Sequence, residues 1–288
     1  MVNEFKEGLR ALIEERMKLL EAAGEAKKHL LVDCTLPGRW HHPGTWHPVS
    51  LIIRDAVEIF SRLGFALADG PDIETKWNNF DALNTPEHHP STSKQDTFWL
   101  NDNLLLRTHT SPVQIRVMTS YKPPIRIITA GRCYRRDTVD ATHSVNFHQI
   151  EGLYVVTGDI SQKGERSVSM ADLKSDLAFF ARKMMGPTVK IRFRPHFFPF
   201  TEPSVECDFS CHLCNGKGCS LCKGSGWIEI AGAGMVHPAV FEKVGYDPAV
   251  TTGYAFGMGI ERIAMVKYGI TDIRLLYEND VRYLAQFL

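Results

Sequence analysis

Apolar residues recur at helical spacing near the beginning of the chain. Between positions 5 and 23 they stand among charged residues, at Phe5, Leu9, Leu12, Ile13, Leu19 and Leu20. Because this spacing places them on one face of a helix, we predict an amphipathic helix over residues 5–23. Its simplest function is docking.

The rest of the pattern is mainly that of short strands. An irregular segment rich in Pro, Gly, His and Trp, residues 36–48, is predicted to be a connector. Strands are predicted over residues 65–68, 96–100, 104–108, 125–130, 150–156, 189–194, 226–232 and 254–257. Helices are predicted over residues 47–63, 112–120, 169–184 and 259–268. Successive strands with few crossover helices favour an α+β fold, an antiparallel sheet flanked by helices.

Composition narrows the class of protein. The chain has 288 residues, of which 44% are hydrophobic and 23% charged, as in ordinary globular proteins. Because 33 basic residues balance 33 acidic ones, no overall field favours a free-standing nucleic-acid coat protein. No apolar run approaches the ~20 residues that cross a bilayer, and the charged N-terminus does not resemble a signal peptide. We therefore expect a cytoplasmic protein without membrane contact.

Five of the seven cysteines lie between residues 207 and 222. Two consecutive C-x-x-C-x-G-x-G units supply Cys211, Cys214, Cys219 and Cys222, and their glycines permit tight turns around a tetrahedral metal. We predict an inserted zinc-knuckle hairpin with four cysteine ligands over residues 207–226, with His212 as the alternative fourth ligand and Cys207 as a spare. A redox pair and free thiols are the rival interpretations. The repeat resembles the zinc-binding segment of DnaJ-type chaperones over residues 211–226 only.

Two further segments carry candidate chemistry. Residues 131–137 follow a predicted strand and contain three arginines, which on a strand are usually a solvated face. Gln149 and Glu151 lie two apart on the next strand, so they share one face among apolar neighbours and indicate a polar ligand. Residues 253–262 join a glycine-rich strand to a helix, for which close backbone packing is an equally good explanation.

Together these segments resemble a known family. The arginine hairpin followed by G-x-G-x-E-R resembles motifs 2 and 3 of class II aminoacyl-tRNA synthetases. Additional segments resemble the alpha chain of bacterial-type phenylalanyl-tRNA synthetase, at residues 79–84, 88–90, 96–99, 107–111, 198–203 and 232–238. The resemblance covers residues 33–288 and implies a class II catalytic fold. It implies a ligase of EC class 6 that activates phenylalanine with ATP to phenylalanyl-adenylate and transfers it to the terminal adenosine of tRNA(Phe).

The resemblance also implies roles for residues at the nucleotide. Arg135 would hold the carboxylate and the α-phosphate, while Asp137, where many class II enzymes have glutamate, and His143 would serve the nucleotide. Phe147 and Arg262 would enclose the adenine, and the Arg262 guanidinium would also reach the terminal phosphate, which makes Arg135 and Arg262 the expected catalytic residues. Such chemistry requires fixed positive charge and a divalent cation, because negative charge develops on the phosphorus oxygens.

The metal and the amino acid would be held by further residues. Glu202 matches a Mg²⁺ position, for which a buried structural carboxylate is the rival. The ammonium group would be surrounded by His109, Ser111, Gln149 and Glu151. The substrate ring would meet Phe198 and Phe200, which share one face of an extended segment, although phenylalanines at that spacing are usually core. Ala255 and Gly257 would leave room for a benzyl group.

The resemblance implies partners as well. Family members work with a beta chain in an α2β2 heterotetramer and bind tRNA(Phe) partly through a long N-terminal coiled-coil arm. Residues 1–32, the helix and connector before the catalytic domain at 33–288, are too few for that arm, so we expect a shortened N-terminus. Two alternatives are a catalytically silent paralogue that binds amino acid or tRNA, and a chaperone-like interaction module built on the cysteine repeat.

Overall fold

A computed structural model describes residues 2–28, 44–93, 95–158, 167–211, 213–219 and 222–287. The chain forms two compact units, residues 1–44 and 45–288. In the first unit, helix α1 spans Val2–Lys28 and confirms the predicted helix. The predicted domain boundary at residues 32 and 33, and most of the connector at 36–48, lie outside the described residues. The boundary therefore stays a prediction.

The second unit contains a seven-stranded sheet. Its strands are β1 (Ala66–Leu67), β4 (Ile125–Tyr134), β5 (Asn146–Thr157), β6 (Ile191–Phe198), β7 (Thr201–Ser210), β8 (Trp227–Val236) and β9 (Thr251–Gly259). The order is β1-β4-β5-β9-β8-β7-β6, with β1 parallel to β4 and every other pair antiparallel. A separate two-stranded antiparallel sheet pairs β2 (Ile73–Thr75) with β3 (Leu104–Leu106). The α+β class is confirmed, with one parallel edge strand added.

Helices and short 3-10 turns flank the sheet. The helices are α2 (Pro48–Arg62), α3 (Lys76–Asn79), α4 (Ser111–Ser120), α5 (Met170–Met185), α6 (Pro238–Lys243), α7 (Ile260–Tyr268) and α8 (Val281–Leu284). The 3-10 turns are Asp81–Leu83, Pro90–Thr92 and Ile273–Leu276. A capping box between Ser169 and Asp172 begins α5, and Gly269 in the left-handed conformation ends α7. Within the described residues, every helix is too short or too polar to cross a membrane.

Helices α2, α5 and α7 bury one face of the sheet. Phe60 of α2 stacks on Phe180 of α5 and on Phe256 of β9, with centroids 4.9 and 5.0 Å apart. Gly152 makes this packing possible, because a Cβ there would lie 2.1 Å from the Phe256 ring. Residues that alternate with this core, such as Glu151, therefore point to the opposite face of the sheet.

One strand prediction is wrong, and two observed strands, β2 and β7, were not predicted. Residues 96–100 form turns rather than a strand, and only Trp99 makes an isolated bridge, to Leu105. The turns close locally, since the backbone N–H groups of Asp96 and Thr97 both donate to the Ser93 carbonyl. Strand β7 was not predicted, because Pro203 and its polar neighbours hide the alternation of buried apolar side chains.

Candidate active site

The open face of the sheet carries a cavity of about 650 Å³. It is lined by the substrate residues predicted from the sequence, with Glu202 as the exception. These residues are His109, Ser111, Arg135, Asp137, His143, Phe147, Gln149, Glu151, Phe198, Phe200, Ala255, Gly257 and Arg262. Folding therefore brings together side chains that are up to 153 positions apart in the sequence, from His109 to Arg262.

The floor of the cavity is a row of directly opposed residues on four adjacent strands. Glu151 of β5 is opposite Gly257 of β9, which is opposite Gly232 of β8, which in turn is opposite Glu206 of β7. A Cβ at Gly257 would lie 3.1 Å from Glu151 Cγ, and one at Gly232 would lie 2.8 Å from Phe198 Cζ. The two glycines thus allow a carboxylate and a phenyl ring to close over the floor.

Two phenylalanines form an apolar wall. Phe198 ends β6, whereas Phe200 lies in the turn to β7, so the expectation that both occupy one face of a single extended segment is wrong. The turn nevertheless stacks their rings, with centroids 5.8 Å apart and planes inclined by 13°. Asn84 Nδ2 donates to the Pro199 carbonyl at 2.8 Å and ties down the turn. Both rings and Ala255 line the cavity.

The space between this aromatic wall and the glycine floor forms a slot. A buried carboxylate, Glu151, lies at the β5 end of the floor. Glu151 accepts hydrogen bonds from the Thr110 backbone N–H at 3.0 Å, Ser111 Oγ at 2.6 Å and Gln114 Nε2 at 2.8 Å. Burial raises the pKa of Glu151, although these three donors act in the opposite direction. The side chain is therefore an acceptor-rich group in a dry environment, suited to a cationic ligand.

His109 lies beside this carboxylate end. Burial, and then the charges of Arg135 and Arg107, lower the pKa of His109 to about 3, so its ring is neutral at pH 7. Its Nδ1 is buried and has no hydrogen-bond partner among the described residues. A neutral ring with one nitrogen that lacks a partner can form a hydrogen bond with a bound ligand.

Arg107 was missed by the sequence analysis. It donates to the Arg132 and Gly70 carbonyls at 2.7 and 3.1 Å and pairs with Asp72 at 3.0 Å. These contacts fix the segment that leads from β3 to His109. A buried arginine with these partners has no local sequence signal, because they come from two segments, residues 70–72 and β4, that are distant from it in the sequence.

The residues predicted to bind the nucleotide occupy the β4–β5 hairpin and the beginning of α7. The Arg135 guanidinium lies over the Phe147 ring, 4.9 Å from its centroid, and Arg135 Nε donates to the Thr108 carbonyl at 3.2 Å. Arg262 lines the same cavity from an exposed position. In this structure, therefore, Arg135 rather than Arg262 covers the Phe147 face.

His143 and Asp137 line the same side of the cavity. The imidazole of His143 contacts the Asp140 carboxylate at 3.0 Å. Hydrogen bonds from His143 and then from Thr142 lower the pKa of Asp140 below its usual range. Asp140 thereby holds the position of the exposed His143 ring.

A buried glutamate connects this hairpin to α7. Glu261 accepts from the His148 backbone N–H, from His148 Nδ1 at 2.7 Å and from the Tyr277 hydroxyl at 2.7 Å. The neighbouring Arg262 is therefore attached to the hairpin through α7. The sequence analysis included Glu261 only as the glutamate of the G-x-G-x-E-R motif. It did not predict that Glu261 holds α7 against the hairpin.

Glu202 does not join the other residues. Its side chain is 75% exposed and lies 3.3 Å from His237 Nε2. The rival interpretation as a buried structural carboxylate is wrong, because Glu202 lies at the beginning of an exposed stretch of β7. One open carboxylate suits Mg²⁺ only together with other oxygen ligands, such as phosphate or water.

Ionisable residues that the sequence analysis missed line the β6–β8 end of the cavity. His196, Glu206 and Glu229 contribute to the lining. Arg194 pairs with Glu206 at 2.7 Å and with the buried Asp208 at 2.6 Å. The sequence does carry a signal for these ion pairs. An R-x-R pattern on β6 faces an E-x-D pattern on β7, so that opposite charges lie on directly opposed residues.

The four predicted zinc ligands also come together. The sulfur atoms of Cys211, Cys214, Cys219 and Cys222 all lie within 4.8 Å of one another, at the junction of β7 and β8. Individual Sγ–Sγ distances are 3.7, 3.8 and 3.7 Å. Cys207 is buried in β7 outside this group, and His212 lies outside the described residues.

Backbone N–H groups point at these sulfurs. Cys222 Sγ accepts from the N–H groups of Cys219 and Gly226 at 3.1 and 3.2 Å, and Cys214 Sγ accepts from Gly218 at 3.2 Å. Gly218 has φ +98°, and a Cβ there would lie 2.6 Å from the Gly224 carbonyl oxygen, so this turn requires glycine. The cluster is thus built around sulfur acceptors.

Comparisons with known proteins agree with one another. The family model described as "tRNA synthetases class II core domain (F)" matches residues 31–287. The sequence is 54% identical to the phenylalanine–tRNA ligase alpha subunit of Trichlorobacter lovleyi and 51% identical to that of Caldanaerobacter subterraneus. Both matches cover the whole chain, and 82% and 83% of those proteins.

One solved structure supports the fold independently. A pyrrolysyl-tRNA synthetase from Desulfitobacterium hafniense gives a TM-score of 0.59, over 94% of this chain and 84% of that one. At 17% identity, this similarity shows a shared fold.

Proposed function

This chain belongs to the class II tRNA synthetases, as an alpha subunit of the phenylalanine–tRNA ligase family, and from that premise we propose how its residues carry out the reaction. The chain is a ligase subunit that joins phenylalanine to tRNA at the expense of ATP. The observation that carries the residue-level proposal is the cavity itself. An aromatic slot at one end and a buried carboxylate at the other match the two ends of free phenylalanine.

The amino acid would lie along the glycine floor. Its ammonium group would be held by Glu151, with Ser111, Gln149 and the neutral His109 as further hydrogen-bond partners. Its ring would enter the slot between the aromatic wall, Phe198 and Phe200, and the small residues Ala255 and Gly257. Desolvation of the slot favours a benzyl side chain over a polar one, because a polar group would find no partner there.

Activation would take place between this slot and the hairpin. The carboxylate of phenylalanine attacks the α-phosphorus of ATP, pyrophosphate leaves, and phenylalanyl-adenylate forms. Arg135 would hold the carboxylate and the α-phosphate and stabilise the charge that develops on the phosphoryl oxygens. For this it would move off the Phe147 face, which the adenine would then occupy, with Arg262 covering the adenine from the other side. Asp137 and His143 would contact the nucleotide from the hairpin.

The second step joins the amino acid to tRNA. A ribose hydroxyl of the terminal adenosine attacks the carbonyl carbon of the adenylate, and AMP leaves. The silent-paralogue alternative has no observation in its favour. The arginines for phosphate and the residues for the amino acid line one cavity, and a protein that only bound amino acid would not need Arg135 and Arg262 there.

We propose that Mg²⁺ accompanies ATP and that Glu202 supplies one ligand to it. A bound Mg²⁺ would neutralise phosphate charge. The open, exposed carboxylate is compatible with this role, although it lies outside the cavity lining. The position stays a prediction.

We further propose that the four cysteines bind one structural Zn²⁺. A tetrahedral site with Zn–S bonds of about 2.3 Å has sulfur–sulfur edges of about 3.8 Å. Three of the six Sγ–Sγ distances, 3.7 to 3.8 Å, match this spacing, and all four sulfur atoms lie within 4.8 Å of one another. The site closes the hairpin between β7 and β8, so its function would be to stabilise the end of the sheet.

The partners follow from the family. We propose that the chain works in the cytoplasm with a beta subunit, in an α2β2 assembly, and that it binds tRNA(Phe). Residues 1–32 would form a separate helical segment before the catalytic domain at 33–288. The exposed apolar side chains of α1 support a docking function for this segment.

The experiment is phenylalanine-dependent ATP–pyrophosphate exchange by the chain, purified with and without its beta subunit. We expect exchange in the presence of the beta subunit and a loss of about 10²–10³-fold for Arg135→Ala, as for other groups that stabilise transition-state charge. Exchange that survives Arg135→Ala unchanged would contradict the assigned role. Binding of phenylalanine without any exchange would favour the silent paralogue.

A further inference from the structure

A buried thiol lies directly behind the proposed amino-acid site. Cys133 is in β4, opposite Phe147 in the β4–β5 pairing, and has no exposed surface. Its Sγ lies 3.2 Å from Gln149 Oε1. Gln149 lines the cavity, whereas Cys133 does not. The thiol therefore reaches the cavity lining through the Gln149 carboxamide.

The chemistry of this contact is well defined. Burial, and then the negative charge of Glu151, raise the pKa of the Cys133 thiol well above its usual range, so the sulfur keeps its proton. Its other acceptor, the Gly131 carbonyl oxygen, is 4.0 Å away. The S–H group therefore donates to Gln149 Oε1. A carboxamide oxygen has two lone pairs, so a second remains for another donor.

We propose that Cys133 is a positioning residue that holds the Gln149 carboxamide oxygen towards the ammonium group of phenylalanine. This inference rests on the proposed function, in which Gln149 binds that ammonium group. Without the thiol, the Gln149 side chain is free to rotate or to present its NH2 group, which repels an ammonium ion. Cys133 thus contributes to affinity for the amino group without touching the substrate.

The simpler alternative is that Cys133 only fills space in the core, as buried cysteines often do. The two explanations differ in which substitution they tolerate. Cys133→Val keeps an apolar, buried side chain of similar size and removes the donor. Cys133→Ser keeps a donor and reduces the volume. If Cys133 only fills space, Cys133→Val should be the better tolerated substitution. If it positions Gln149, Cys133→Ser should be.

The test uses the chain purified with its beta subunit and measures ATP–pyrophosphate exchange. We expect Cys133→Ala and Cys133→Val to raise the KM for phenylalanine about three- to tenfold, the range of one lost neutral hydrogen bond, with Cys133→Ser closer to wild type. The KM for ATP should not change. Inhibition by 3-phenylpropionate, which lacks the amino group, should be equally strong in all variants.

Gln149→Ala separates the possible failures. If it leaves the KM for phenylalanine unchanged, the proposed amino-acid site is wrong at Gln149. If it raises this KM and Cys133→Ala raises it further in the same background, Cys133 acts independently of Gln149 and the inference is wrong. The inference would also be overturned if Cys133→Val had the wild-type KM for phenylalanine, or if the variants weakened inhibition by 3-phenylpropionate as much as they weakened phenylalanine binding. No additional effect of Cys133→Ala on Gln149→Ala is the expected result.

Discussion

Gly232→Ala tests whether the glycine floor sets the width of the phenylalanine slot. The added Cβ would lie 2.8 Å from Phe198 Cζ and 3.1 Å from its Cε2. Carbon atoms pack at about 3.5–4.0 Å, so the ring would have to withdraw from the sheet by roughly 0.7–1.2 Å. Phe200 is stacked on it and the His196 ring centroid lies 4.7 Å from its own, so the open direction is into the cavity. The slot would become narrower.

The size of the effect follows from the cost of overpacking. One additional methyl group in a closely packed site costs about 1–3 kcal/mol, which corresponds to a decrease of roughly 5- to 150-fold in kcat/KM for phenylalanine. The assay is ATP–pyrophosphate exchange with phenylalanine and ATP varied in turn. We expect the KM for phenylalanine to rise and the KM for ATP to stay constant, because the residues proposed to bind the nucleotide lie in the β4–β5 hairpin and α7 rather than on β8.

A matched control is Gly8→Ala in α1, where an added Cβ would meet nothing within 4 Å. It should leave both KM values unchanged. A Gly232→Ala enzyme with a normal KM for phenylalanine would refute the reasoning, whether or not its melting temperature fell. In that case the ring would have moved away from the slot rather than into it.

Three further predictions concern the slot, its charge and the cysteine cluster. Ala255→Gly should admit para-substituted analogues, and the proposal fails if discrimination between phenylalanine and para-chlorophenylalanine is unchanged. Because its raised pKa makes Glu151 neutral at a higher pH than an ordinary glutamate, kcat/KM for phenylalanine should fall as the pH decreases towards that range. Glu151→Gln should abolish this pH dependence. If the variant kept the wild-type pH profile of kcat/KM, the assignment to Glu151 would be wrong. After metal-replete purification we expect about one zinc per chain, and Cys214→Ser should release it and lower the melting temperature by on the order of 5 °C. The control Cys207→Ala should keep its zinc; less than half a zinc in the wild type would count against the site.

The sequence by itself determined the local elements and the identity of the chemistry. Helices α2, α4, α5 and α7 and most strands follow from periodicity, because neighbouring residues decide which face is apolar. The two C-x-x-C units predicted a metal cluster for a similar reason, since each pair of ligands is separated by a single turn. Thirteen of the residues that line the cavity were also predicted, because they belong to contiguous motifs.

Only the tertiary structure decided how these motifs meet. The floor row from Glu151 to Gly257 depends on the register of strands about a hundred residues apart, which no local pattern records. The Phe198–Phe200 stack depends on a turn at residues that the sequence analysis expected to be extended, and the contact between the Cys133 thiol and Gln149 depends on the β4–β5 pairing. The reason is physical: spacing along a chain fixes which face a side chain occupies, whereas its partners are set by packing between distant segments. The sequence therefore predicted part of the candidate site, and the fold determined which of its residues touch.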